Sequence, residues 1–373
     1  MTKTVVFAIL LVLPHFLIAQ HKSVNPDTLV NRLGNTFIAD PKAAGLSIGV
    51  YHNGNSYYYN FGTTAKGRSQ TPTENSLYET GSVTKLFVAL VLAKAVVEKK
   101  VALNDDIRKY LDGDYPNLQY NQAPITLEQL ANATAGLPDW LPATSDKIKN
   151  APADSTAFFR EKIYGAFTPK DFFAALHGVE LDTVPGFKRR HSNAGAQLLG
   201  YILEKVYGTS MDKLIAKLIL VPNKMNSTSF LASGAKSRSL TTGYGEKGAK
   251  APYFNTAYLQ YVGGLYSTTA DLLKFIRLQL EHKDPAIILS QKESFNAGYY
   301  SACLNWLKYK HENGNHQLWT DGGTYGYTGY VVFYPEINSG VVILTNVSDD
   351  SIAGKLGDMA YQVFDYIQKN NGR

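Results

Sequence analysis

The chain of 373 residues has one cysteine, Cys303, so no intrachain disulfide can form and folding does not depend on oxidation. No cysteine follows the apolar N-terminal stretch, which argues against a lipid-modified bacterial N-terminus. Arginine-rich blocks and zinc-finger spacings are also missing. The net charge of +6 comes from scattered lysines and arginines, so nucleic acid is not an expected partner. No group of His, Cys and Asp has the spacing of metal ligands. Internal repeats and long low-complexity linkers are absent. The one strongly apolar terminal run, Val5 to Ile18, is too short for a membrane span and is interrupted by Pro14 and His15. With Lys3 before it and Ala19-Gln20 after it, residues 1–20 read as a secretory signal, and the protein is expected to be periplasmic or secreted. An uncleaved anchor, giving cell-envelope association, is the alternative.

A chain of this length can bury a large core. Its central feature is Glu79-Thr80-Gly81-Ser82-Val83-Thr84-Lys85, followed by an apolar run to Lys100 without Pro or Gly. That run is apolar nearly all round, which predicts a buried central helix. Ser82 and Lys85 are three residues apart and share a helix face. A serine hydroxyl needs a base beside it, and a desolvated lysine gives up its proton more easily. The competing reading makes Ser82 an N-cap and Lys85 an ordinary first-turn residue. Two other pairs, Ser210/Lys213 and Ser233/Lys236, have the same spacing. Ser210 reads as a helix cap, and Ser233 lies in a Ser/Gly/Lys loop.

Around this centre the pattern is hairpin, helical block, β-meander, terminal helix. Asn25 to Phe37 is amphipathic. Gly45 to Tyr51 and Ser56 to Phe61 flank Asn53-Gly54, a hairpin signal. Thr126 caps a helix start, and Ser192-Asn193-Ala194-Gly195 opens another. Asp139 to Thr168 is polar and poorly periodic, and reads as a mobile excursion near the surface. Gln317 to Trp319, Gly329 to Tyr334 and Gly340 to Thr345 are β-runs, and Ser351 to Ile367 closes as a helix. Hairpins imply an antiparallel sheet covered by helices. The predicted class is α+β: residues 21–80 and 246–373 form the sheet domain, and residues 81–245 form an inserted, mainly helical domain. The site is expected in the cleft between them.

Five stretches, in order, resemble the serine β-lactamase and penicillin-binding-protein superfamily, most of all its class C β-lactamase, D-alanyl-D-alanine carboxypeptidase and esterase branch. They are Gly81 to Lys85; Ile125 to Leu130 with Ala135-Gly136-Leu137-Pro138; Pro185-Gly186 with Ser192 to Gly195; Gly263 to Thr268; and Gly322 to Tyr327 before Gly340 to Asn346. The resemblance implies that Ser82 forms an acyl-enzyme, helped by Lys85. The backbone amides of Ser82 and Gly323 would bind the oxyanion. Asn193 would hydrogen-bond Lys85 or a substrate amide. No metal or organic cofactor is implied.

Two positions depart from that pattern. Where the branch has Tyr-x-Asn, this chain has His191-Ser192-Asn193. The imidazole either replaces the tyrosine as proton shuttle or is a leftover in a weakened site. Where the branch has Lys or His in the third motif, this chain has Thr320-Asp321-Gly322. A lost cation and an added Asp321 disfavour substrates with a free carboxylate, unless Asp321 turns away in an Asp-Gly turn. Thr320, Asp321, Gly322 and Gly323 are the expected substrate-binding strip. An exported serine hydrolase acting on an ester, amide or peptide is therefore expected, its partner a small molecule or peptide. D-Ala-D-Ala carboxypeptidase or β-lactamase action is the nearer alternative, and a catalytically silent envelope binding protein the further one.

Overall fold

The computed structural model describes residues 26–152, 155–230, 238–254 and 257–370. The signal-like segment and the Ser233/Lys236 pair lie outside these residues.

An eight-stranded antiparallel sheet runs through the molecule. Its strands are β1 (Gly45–His52), β2 (Asn55–Gly62), β3 (Phe295–Asn296), β4 (Ser301–Ala302), β5 (Leu307–Lys310), β6 (His316–Gly323), β7 (Thr328–Tyr334) and β8 (Ser339–Thr345), in the spatial order β2-β1-β8-β7-β6-β5-β4-β3. Asn53 and Gly54 both have positive φ, +46° and +90°, and turn β1 into β2 as the sequence predicts.

Alternation along the strands decides what covers each face. Val332, Tyr334, Val341 and Ile343 point to one side. There they pack with Val30 and Phe37 of α1 (Asp27–Ile38) and with Leu356, Val363 and Phe364 of the closing helix, Ile352–Asn370. Val331, Phe333, Val342 and Leu344 point to the other, where Leu272, Leu273, Phe275 and Ile276 of the helix Thr269–Glu281 meet them. This helix lies so close to β8 that a Cβ on Gly340 would run into the Ile276 side chain. Gly340→Ala should therefore destabilise the fold by about 1–3 kcal/mol through overpacking, read from the denaturant midpoint at unchanged m-value.

The predicted central helix is α2, Thr84–Val97. Residues Thr84 to Ala93 are all buried, because helices press on α2 from several sides. Phe87 stacks on Phe275 at 4.3 Å, Phe275 on Trp306 at 6.4 Å, and Trp306 meets Phe333 of β7 edge-on at 5.0 Å. One aromatic column thus ties the nucleophile's helix to the sheet. The helix Asn193–Tyr207 packs on another side of α2, capped by Ser192, whose Oγ accepts from Gly195 N at 2.9 Å.

Two local readings are corrected. The described residues of 139–168 are not a loose surface excursion. They carry the helices Asp146–Lys149 and Thr156–Tyr164, bury Leu141, Ile148 and Tyr164, and stack Trp140 on Tyr164 at 5.2 Å. Aromatic packing, which leaves no helical period, orders this segment. Ser210 occupies a cap position, but its hydroxyl caps nothing; Met211 N donates to Glu204 Oε1 at 2.7 Å instead.

Candidate active site

Ser82 sits in a single 3-10 turn, Gly81–Val83, leading directly into α2. The N-cap positions of the two helices are Thr80 and Val83, so Ser82 is the cap of neither. Its hydroxyl accepts from Lys85 Nζ at 2.6 Å, and Lys85 Nζ also donates to the Val262 carbonyl at 3.0 Å. The cap reading of Ser82 is thereby replaced by a serine–lysine pair. Lys85 is only 7 % exposed. Burial pulls its ammonium down to about 7 from the ordinary 10.5, against the opposing pull of Asp139 and Asp321, whose negative charges raise it. A lysine so placed sheds its proton more readily and can take one from the adjacent hydroxyl.

The Ser82 turn is pressed against the end of β6 by two glycines. Gly81 has φ +52°, and a Cβ there would lie 2.5 Å from the Gly323 carbonyl oxygen and 2.6 Å from its nitrogen. A Cβ on Gly322 would overlap the Thr80 carbonyl and come within 2.7 Å of Ser82 N. Only glycine at both positions lets the two backbones meet, which brings the Ser82 and Gly323 amides to one place. Gly322 itself is buried, so its contribution is this close approach rather than a surface for substrate. Gly323 and Asp321 are exposed and Thr320 is half-buried. Asp321 is not in a turn: it pairs with Tyr330 in the β6–β7 ladder, and its charge acts on Lys85.

The second motif arrives on a segment stitched to residues 133–139. Arg190 N donates to the Ala133 carbonyl at 2.8 Å, Ser192 Oγ to the Pro138 carbonyl at 2.7 Å, and Ala194 N to the Asp139 carbonyl at 2.9 Å. This register sets Asp139 under both motif residues. Asp139 Oδ1 accepts from Asn193 N and Asn193 Nδ2, both at 3.0 Å, and pairs with His191 Nδ1 at 2.9 Å. Burial pushes the Asp139 carboxyl up, but the hydrogen bonds from His191 and Asn193 outweigh it and hold the group below the ordinary carboxylate range. Of the two partners expected for Asn193, Lys85 is not bonded to it: Lys85 Nζ donates to Ser82 and Val262, and Asn193 Nδ2 donates to Asp139. His191 is exposed and rests on Asp139 rather than on Ser82.

Two site residues are thus new relative to the sequence reading. Asp139 follows the Gly136-Leu137-Pro138 stretch that carried the resemblance, and that adjacency was its only sequence signal. Val262 contributes a backbone carbonyl, which no side-chain pattern reveals. Among the described residues no group of three or more His, Cys, Asp or Glu is placed to hold a metal ion.

A serine–lysine pair at the start of a buried helix, facing the end of a strand in an antiparallel sheet, is the arrangement of the serine β-lactamase and penicillin-binding-protein fold. Residues 30–358 match the Beta-lactamase family model, and the chain belongs to that family. Protein flp of Staphylococcus aureus (strain MRSA252) is 27% identical over 329 residues, 83% of this chain and 60% of that protein. The chain thus spans about 60% of the length of that relative. A beta-lactamase of Escherichia coli (strain K12) is 25% identical over an alignment covering 99% of this chain and 100% of that protein. Among solved structures, a class C beta-lactamase superposes with a TM-score of 0.78 at 21% identity, covering 94% of this chain and 98% of its own. The octameric penicillin-binding protein homologue from Pyrococcus abyssi gives 0.77 at 23%, covering 92% and 78%. These structural likenesses establish the fold.

Proposed function

We propose that the protein is a serine acyl hydrolase that works through an acyl-Ser82 intermediate on neutral or cationic esters, amides or peptides. The 2.6 Å contact between Ser82 Oγ and a buried Lys85 carries this reading. Neutral Lys85 takes the hydroxyl proton as Ser82 Oγ bonds to the acyl carbon. The oxyanion faces the amides of Ser82 and Gly323. The Lys85 ammonium then hands the hydroxyl proton to His191, held by Asp139, which delivers it to the departing oxygen or nitrogen as the bond to the leaving group breaks. Water then attacks the acyl carbon, its proton passing through His191 to Lys85, and Lys85 gives this proton to Ser82 Oγ as the bond between Oγ and the acyl carbon breaks, freeing the acid. The apolar segment Val5 to Ile18 supports action outside the cytoplasm.

Substrate charge follows from the third motif. The charges of Asp139 and Asp321 both act on Lys85, and by the resemblance Thr320 stands where the branch has a cation to meet a carboxylate. Neutral activated esters should therefore acylate the protein faster than penicillins, as measured by kcat/KM for both. Equal or faster penicillin turnover would remove the substrate half of the proposal. Thr320→Lys supplies a charged donor worth about 1.5–3 kcal/mol. It should raise penicillin acylation roughly tenfold to a hundredfold relative to the ester.

A further inference from the structure

Glu79 is a buried acid that none of these steps uses. It lies three residues before Ser82, on the short strand Tyr78–Glu79 paired with Tyr266–Ser267, and is 2% exposed. Its Oε2 accepts from Thr324 Oγ1 at 2.6 Å. Its Oε1 accepts from Phe254 N at 2.6 Å and from the Tyr266 hydroxyl at 3.4 Å. These contacts join three segments that build the site. Glu79 belongs to the segment carrying Ser82, and Thr324 directly follows Gly323. Phe254 leads into the stretch whose Val262 carbonyl holds Lys85.

We infer that Glu79 is a positioning residue for acyl transfer: from behind the site it fixes Thr324, and through Thr324 the Gly323 amide that faces the oxyanion. The inference rests on the acyl-transfer reading above. The geometry explains why an acid is needed there. The carboxylate accepts on both oxygens, so the Thr324 hydroxyl hydrogen has one place to go. A protonated carboxyl must itself donate, to the Thr324 or the Tyr266 oxygen, and the fixed direction of the Thr324 bond is lost. The groups that act electrostatically on this carboxyl are Glu161 on the helix Thr156–Tyr164 and the hydroxyls of Tyr266, Tyr325 and Tyr327. Burial pushes Glu79 up to about 7 from 4.5, with Glu161 adding to the rise and the bonds from Thr324, Phe254 and Tyr266 opposing it. The arrangement therefore changes state near neutral pH.

The test compares wild type, Glu79→Gln, Glu79→Ala, Thr324→Val and the Glu79→Ala/Thr324→Val double variant on one activated ester. Loss of an oxyanion donor's alignment should lower kcat by roughly 10²-fold in Glu79→Ala and in Thr324→Val, with KM little changed. The double variant should be no worse than either single one, because both remove the same contact. Glu79→Gln keeps the size but only one acceptor, so it can serve Thr324 or Phe254 N and not both, and should recover only part of the loss. Additive losses, or losses confined to KM, would overturn the inference. Thermal unfolding supplies a readout that does not need activity. A raised folded value means that the folded state holds a proton the unfolded chain has lost between about pH 4.5 and about pH 7. Wild-type Tm should therefore fall relative to Glu79→Gln as pH rises through that window, and parallel curves would contradict the burial of an ionising Glu79. If no ester acylates the wild type, the acyl-transfer reading fails by itself. The inference then fails with it as a catalytic claim, while the Tm comparison still reports whether the clamp exists.

Discussion

Lys85→Met should reduce ester acylation by roughly 10²–10⁴-fold, the scale of a general base, while leaving the fold intact. Methionine fills the same buried volume without a charge or a lone pair for the Ser82 proton. In the wild type, log(kcat/KM) should rise with pH and level off above about 7, as Lys85 loses its proton. The same shift has a stability consequence of definite sign. Between the folded value of about 7 and the ordinary 10.5, the unfolded chain binds a proton that the folded one does not. Wild-type stability should therefore gain on the Lys85→Met variant by about 1.4 kcal/mol per pH unit above neutrality. Urea unfolding of both proteins at two pH values checks this. A constant difference would mean that Lys85 stays charged in the fold.

Asp139→Asn should lower kcat by about 10²-fold or more, by the logic that governs a carboxylate holding a catalytic imidazole. Asparagine can still accept from the Asn193 amide, so the 133–139 and 190–194 segments stay registered. What it removes is the charge that fixes the His191 Nδ1 proton and leaves Nε2 as the working nitrogen. Combined with His191→Ala, the loss should not deepen, since both changes remove one device. Losses that multiply would detach Asp139 from His191. A second signature is independent of His191. Asp139 raises the Lys85 value, so its replacement should move the acid limb of the rate profile to lower pH.

The residues legible in the sequence are those whose partners lie within one turn or one turn type. Ser82 and Lys85 are three apart on a helix, Thr126 and Gln129 close a capping box, and Asn53-Gly54 sets a hairpin. Asp139 is 54 residues from Asn193, and its role depends on a register made by backbone bonds between two loops. No local period encodes that register. Glu79 is likewise silent: next to Thr80 it looks like any strand acid, until the fold brings Thr324 to it from 245 positions away.

The sheet shows the same division. The central strands β1, β7 and β8 are buried along their whole length and announce themselves as runs of β-branched and aromatic residues. Toward one edge of the sheet, β5, β4 and β3 are short and partly exposed, so Leu307 to Lys310 lacks an apolar run to signal a strand. The third motif lies where β6 passes beyond its pairing with β5 and its backbone edge opens toward Ser82. Thr320 and Asp321 were readable as departures from the family pattern. That Asp321 sits in the ladder, near enough to act on Lys85, came from the structure.

The central claim is covalent chemistry at Ser82, and intact-protein mass spectrometry tests it most directly. The protein and Ser82→Ala would each be incubated with a neutral activated ester, a penicillin and a fluorophosphonate. The account predicts a mass increase in the wild type alone, fastest with the ester and slow with the penicillin, and a fragment map that places the added group on Ser82. An unchanged mass with all three reagents, or the same increase in Ser82→Ala, would contradict it. The first of these outcomes would point instead to a binding protein built on a hydrolase fold.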